Sequence, residues 1–120
     1  MYSVMMSFVE PFIRKHIKQA PEQVGTERMA LVDVSLLIAT RRGLNAKRPL
    51  GRRRRGSVEH PHVIHIDGKY YVIDGHHKIV RAHNDGLTSI LCKIFDTQDI
   101  RLRDILRRRD QGPVIKQEVM

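Results

Sequence analysis

Directly after the apolar run Tyr70-Tyr71-Val72-Ile73, five residues bring together a carboxylate, a glycine, two imidazoles and an ammonium: Asp74-Gly75-His76-His77-Lys78. A strand that passes into a helix through Asp-Gly leaves several backbone N–H groups without intrahelical acceptors, and the helix dipole adds partial positive charge at the same place. Such a turn suits an oxyanion, above all a phosphate. Gly75 lets the backbone come close, His76 and His77 supply imidazole donors, and Lys78 can bring a full charge to a phosphate oxygen. Asp74 could hold a metal ion, orient a histidine, or cap the helix by accepting from the N–H of His76 or His77. A plain N-cap beside two surface histidines would require only Asp74. It would leave unexplained why a hairpin, a tight glycine, paired imidazoles and a cation meet at one point.

The elements that position this turn are legible on either side of it. Val63-Ile64-His65-Ile66 and Tyr70-Tyr71-Val72-Ile73 are β-rich runs joined by Asp67-Gly68-Lys69, a hairpin signature that relies on positive φ at the glycine. The pattern then predicts a short helix from His77 to Asn84, ended by Gly86, and a returning strand from Thr88 to Phe95. Upstream, Met29 to Val34 reads as a strand, and Ser35 as the cap of a short helix from Leu36 to Ala39. Downstream, Asp96 or Thr97 is expected to cap a last helix. Its residues Ile100, Leu102, Ile105 and Leu106 would pack inward, leaving Arg101, Arg103, Arg107, Arg108 and Arg109 outside. Tyr2 to Gln19 reads as helical turns around Pro11, with Phe12, Ile13 and Ile17 on one face, followed by a loop from Pro21 to Thr26. The organisation expected is an N-terminal helical appendage over residues 1–28, one α/β domain over 29–110 and a loose tail over 111–120, with no internal repeat.

Composition narrows the partners. A chain of 120 residues, 41% hydrophobic and without Trp, builds one mostly aliphatic core. Twenty-two Lys and Arg against 13 acids give a formal charge of +9, a field that favours polyanions, of which nucleic acid is the commonest. Acidic proteins and anionic membranes respond to the same field. The charge concentrates in Arg41, Arg42, Lys47, Arg48, Arg52, Arg53, Arg54 and Arg55, a stretch without acids that Gly43, Pro49 and Gly51 keep irregular. It could be a solubilising surface segment. Four adjacent arginines repel one another unless counter-charged, which favours an arm that tracks phosphates. Cys92 is the only cysteine, so no internal disulfide forms, which fits a reducing, cytoplasmic compartment; its apolar run from Ile90 to Phe95 reads as buried rather than catalytic. Glu10, Pro11 and Arg14 break the apolar N-terminus, against a signal peptide, and no run approaches the ~20 apolar residues of a membrane span.

The stretch Tyr71-Val72-Ile73-Asp74-Gly75-His76-His77-Lys78, followed by Ala82, Asp85-Gly86-Leu87 and a strand, resembles the core of the ParB/sulfiredoxin superfamily, especially its ParB-like nuclease members with a D-G-H-H-R motif. The resemblance extends over roughly Leu31 to Phe95. It implies a small mixed α/β (α+β) sheet with flanking helices, in which the motif opens a helix after a hairpin and binds nucleotide or nucleic-acid phosphates. The superfamily includes DNA-segregation proteins, DNases and a free-serine kinase. By position, Gly75, His76, His77 and Lys78 would be phosphate contacts and Asp74 a supporting or catalytic acid. This chain departs from the pattern in places. Lys78 replaces the usual Arg and loses its two-pronged geometry. The sulfiredoxin cysteine is replaced by His76, which argues against sulfinic-acid reduction. The kinase glutamate has no secure counterpart, Asp33 and Glu59 being no more than candidates for its place, which weakens a kinase assignment.

Two other constellations are weaker. His60, His62 and His65 alternate, but histidines without cysteines or nearby carboxylates rarely make a structural zinc site. The hairpin and following helix, with His77 and His83, have the outline of a ββα-metal nuclease, yet Ile66 and Asp67 stand where its base histidine belongs.

The expected function is therefore a DNA-binding protein with a ParB-like phosphate site. As a metal-assisted DNase it would use Asp74, His76 and His77 as catalytic residues, with Mg²⁺ or Mn²⁺ at Asp74 and proton transfer at His77. The alternatives are a binding module without turnover that regulates a partner machine, and a kinase that uses a nucleoside triphosphate on a small molecule.

Overall fold

Alternating burial along five short segments builds a mixed sheet. The computed structural model describes residues 9, 11–12, 15, 25–41 and 59–117. Within them β1 (Gly25–Asp33), β2 (Leu37–Ala39), β3 (His62–Ile66), β4 (Lys69–Asp74) and β5 (Ser89–Thr97) lie in the order β1-β5-β3-β4-β2. β1 with β5 and β3 with β4 run antiparallel, whereas β3 with β5 and β2 with β4 run parallel. Helix α1 (His76–Asn84) links β4 to β5, and α2 (Ile100–Arg109) follows β5. This is the small mixed α/β sheet with flanking helices that the sequence predicts.

Successive strand residues face opposite sides, so each central strand serves two cores. Val63, Val72, Cys92 and Ile94 pack with Ile79 and Val80 of α1 and with Val114. Ile64, Tyr71 and Phe95 pack on the other face with Leu102 and Leu106 of α2 and with Val9 and Phe12. The β3–β4 hairpin closes through Asp67 and Gly68, both at positive φ (53° and 74°), the two-residue turn whose twist matches the strands. Gly86 at φ 85° ends α1, as expected.

Several expectations are corrected. The helix predicted from Leu36 to Ala39 is a 3-10 turn, Val34–Leu36, running into β2; Asp33, not Ser35, caps it by accepting from the Ser35 N–H at 2.9 Å. Local propensity yields to pairing here, since Leu37, Ile38 and Ala39 add in parallel to Tyr70, Tyr71 and Val72. β1 takes in Gly25 and Thr26, predicted as loop, because they pair with Thr97 and Asp96. Neither of those two caps α2; β5 runs through both, and Asp99 caps by accepting from the Leu102 N–H at 3.0 Å. Leu102 and Leu106 are buried as predicted, but Ile100 is exposed.

The loose tail is also corrected for residues 111–117. Gln111 donates to the Ala39 carbonyl and Ala39 to the Gly112 carbonyl, both at 2.9 Å, so this segment satisfies the outer edge of β2. A second 3-10 turn, Val114–Lys116, then inserts Val114 fully into the α1-side core. At the other terminus, Val9 is buried and Phe12 partly so against the α2-side core; the predicted partners Ile13 and Ile17 lie outside the described residues. So do Arg42, Lys47, Arg48 and Arg52 to Arg55. Among the described residues no helix is long and apolar enough to cross a membrane.

Candidate functional site

The predicted turn stands at the C-terminal end of β4, where a strand interior to the sheet hands over to α1. Gly75 is the N-cap residue at φ 91° and ψ 20°, a left-handed conformation that glycine reaches without the clash a Cβ would bring. Asp74 is exposed, and its Oδ1 accepts from the Gly75 N–H at 2.8 Å. It therefore braces the turn from outside and, of the three roles the sequence left open to it, does not take that of helix cap. The first turn of α1 carries no acidic side chain, so nothing of its own charge opposes an anion at the helix start.

His76 departs furthest from the sequence reading. Its side chain is 1% exposed, and Nε2 accepts from the backbone N–H of Thr40 at 3.2 Å. Burial, reinforced by the nearby charge of Arg41 and by His77, pushes its pKa down to about 3, so the ring is neutral and its proton sits on Nδ1. Nδ1 is itself enclosed and meets no acceptor among the described residues. As a phosphate contact or catalytic group, His76 is thus corrected to an interior residue that ties the start of α1 to the end of β2. Thr40, which no sequence signal marked, completes the tie by donating its hydroxyl to the Val72 carbonyl at 2.6 Å.

The tie has a consequence for charge. Arg41, the first residue of the basic stretch, is exposed and follows Thr40 directly, so its backbone stands one residue from the tie to His76, and its charge helps to lower the His76 pKa. His77 and Lys78 are half-buried on the first turn of α1. Lys78 also lines a hollow of about 400 Å³ with Arg81, His60, Glu59 and Asp85, between α1 and the start of β5. The structure brings Asp74, Gly75, His77, Lys78 and Arg41 together at one end of the sheet.

His62 joins them from β3, opposite Asp74 across a bulge. It is half-buried, and burial holds its pKa below the usual histidine value against the opposite pull of Asp74. His65 faces the other side of the sheet and bonds to Asp96, so the alternating histidines do not converge. Among the described residues no group of three or more His, Cys, Asp or Glu side chains could hold a metal ion. Asp74 therefore belongs to no such cluster. Cys92 is fully buried, and burial pushes its thiol up to about 12, which makes it an inert core residue.

No family model matches the chain, and no curated protein does. Among solved structures, the crystal structure of protein Atu1540 from Agrobacterium tumefaciens is similar at 15% identity and a TM-score of 0.47, over 70% of this chain and 49% of that one. The chain thus spans about half the length of that protein.

Proposed function

We propose that this chain is a nucleic-acid-binding protein, with DNA as the polymer its ParB-like motif implies, and that the turn from Asp74 to Lys78 holds a backbone phosphate. The observation that supports this best is the meeting of two features read separately from the sequence. Arg41, which opens the basic stretch, directly follows Thr40, whose N–H bonds to the first residue of α1, where Gly75 leaves the backbone unshielded by a Cβ. An oxyanion there would meet the positive end of α1, the Arg41 guanidinium and the Lys78 ammonium. The rest of the stretch, through Arg55, would extend along neighbouring phosphates.

The interior position of His76 favours binding without turnover over the DNase reading. With Nε2 engaged by Thr40 and the ring neutral, that histidine is not poised to transfer a proton to or from a phosphodiester. The nucleotide-dependent kinase is kept as an arm of the test.

Fluorescence anisotropy with labelled duplex DNA, over a series of salt concentrations, tests the reading. Arg41→Ala and Lys78→Ala should each weaken binding on any sequence and lower the salt slope by about one. Deleting Arg52 to Arg55 should flatten the slope further. An unchanged slope in both point variants would refute the phosphate site. ATP binding that survives the deletion while DNA binding is absent would move the reading to the kinase. Plasmid cleavage in Mg²⁺ or Mn²⁺, lost in a His77→Ala variant, would establish the DNase instead.

A further inference from the structure

At the hairpin end of the sheet, away from the turn, four strands set one polar row across a face: Arg28 on β1, Asp96 on β5, His65 on β3 and Tyr70 on β4. His65 is the register partner of both Asp96 and Tyr70, and Asp96 pairs with Thr26, two residues from Arg28. Arg28 grips the Asp96 carboxylate with two bonds, Nε to Oδ2 at 2.6 Å and Nη2 to Oδ1 at 3.2 Å. The same carboxylate lies 2.9 Å from His65 Nδ1. Burial works to raise the Asp96 pKa, but the Arg28 and His65 bonds outweigh it and hold the group below the usual carboxylate range, ionised.

An ionised carboxylate only accepts, so Nδ1 carries a proton, and in the neutral form of the ring the lone pair rests on Nε2. Tyr70 stacks on the imidazole at 4.3 Å between centroids and 18° between planes, which fixes the ring plane. His65 makes no other bond among the described residues, so Nε2 is oriented and has no partner there.

His65 and Asp96 line a cavity of about 870 Å³ with Asp67, Gln98, Asp99 and Arg103, within the size range of small-molecule sites. Its other carboxylates are committed: Asp67 pairs with Arg107 at 2.8 Å, and Asp99 caps α2. Among the described residues Arg103 pairs only with its exposed neighbour Asp104, at 3.5 Å. The Nε2 acceptor and the Arg103 charge stand open to a ligand, beside the Gln98 side chain. A row built only for stability would need the pairs; it would not need an oriented lone pair beside a cavity and a loosely held cation.

We propose that this cavity is a second binding site, separate from the turn, for a small anion that bears a hydroxyl group. His65 Nε2 accepts from the hydroxyl, Arg103 faces the anionic end, and Asp96 is the positioning residue that sets the tautomer. The inference does not rest on the nucleic-acid reading.

The test is an NMR titration of the full isotope-labelled chain with glycolate, with acetate as the probe that lacks the hydroxyl. Glycolate should shift the amides of Asp67, Gly68, Gln98 and Asp99 and the His65 Nε2 resonance saturably, leaving Gly75 to Lys78 unmoved. Acetate should bind about five-fold more weakly, the value of one hydrogen bond. His65→Phe, which keeps the stack on Tyr70, should bring glycolate down to the acetate level, and Arg103→Gln should weaken both. Equal binding of the two probes by the unmodified chain, shifts that never saturate, or shifts confined to Gly75–Lys78 would each overturn the site. If His65→Phe does not fold, the glycolate–acetate comparison on the unmodified chain decides alone.

Discussion

Thr40 donates its backbone N–H to Nε2 of His76 across 3.2 Å, joining the last residue before the basic stretch to the first residue of α1. The bond requires an unprotonated Nε2, and the ring has almost no solvent contact to compensate a charge. This histidine is therefore a structural acceptor whose protonation opposes folding.

The pH dependence follows in sign. The His76 pKa is about 3 when folded, against an ordinary value of 6.5, so between these values the unfolded chain holds the extra proton. Its contribution to stability is complete above pH 6.5 and is lost as pH falls toward 3, at up to about 1.4 kcal/mol per pH unit. His62, depressed in the same direction mainly by burial, adds to the slope. Urea midpoints should fall between pH 7 and pH 5, and His76→Gln should flatten that fall. An NMR titration in which the His76 ring protonates near its ordinary value in the folded state would contradict the burial.

Much of the scaffold was legible because its signals are local. The hairpin needed only two apolar runs around Asp67-Gly68, and the end of α1 needed only Gly86. What could not be read depends on tertiary pairing. Leu36 to Ala39 carries no β signal strong enough to reveal that Leu37 would lie against Tyr70, thirty-odd residues away. Asp96 reads as a cap because Asp often caps helices; only the register with β1 and β3 shows it between Arg28 and His65. At the candidate site a motif does not reveal which of two adjacent histidines turns inward. On a helix, neighbours point about 100° apart, so two adjacent imidazoles take different directions, and the residue types alone do not say which one enters the core.

The C-terminal segment offers a second test. Val114 is fully buried between α1 and the sheet, beside Leu37 and Ala39. Val114→Ala should cost roughly 1–3 kcal/mol through lost burial and the cavity left behind. Lys116→Ala, on the exposed side of the same 3-10 turn, should stay within about 0.5 kcal/mol. Equal denaturation midpoints for the two variants would mean that the segment contributes nothing to the core.

Gly75 separates conformation from contact. At φ 91° an alanine would suffer the left-handed penalty, so Gly75→Ala should lose about 1–2 kcal/mol of stability and also place a Cβ where the proposed phosphate approaches. Both effects would lower DNA affinity, and that variant alone would not tell them apart. Gly75→Asn would, because asparagine tolerates positive φ far better than other side chains yet still fills the approach. The expected pattern is that Asn recovers most of the stability lost in the Ala variant and none of the affinity, read by thermal unfolding and by anisotropy on the same preparations. Recovery of both by Asn would mean that the glycine serves only the bend from β4 into α1, and that the phosphate, if bound, is held by side chains and not by the backbone at the start of the helix.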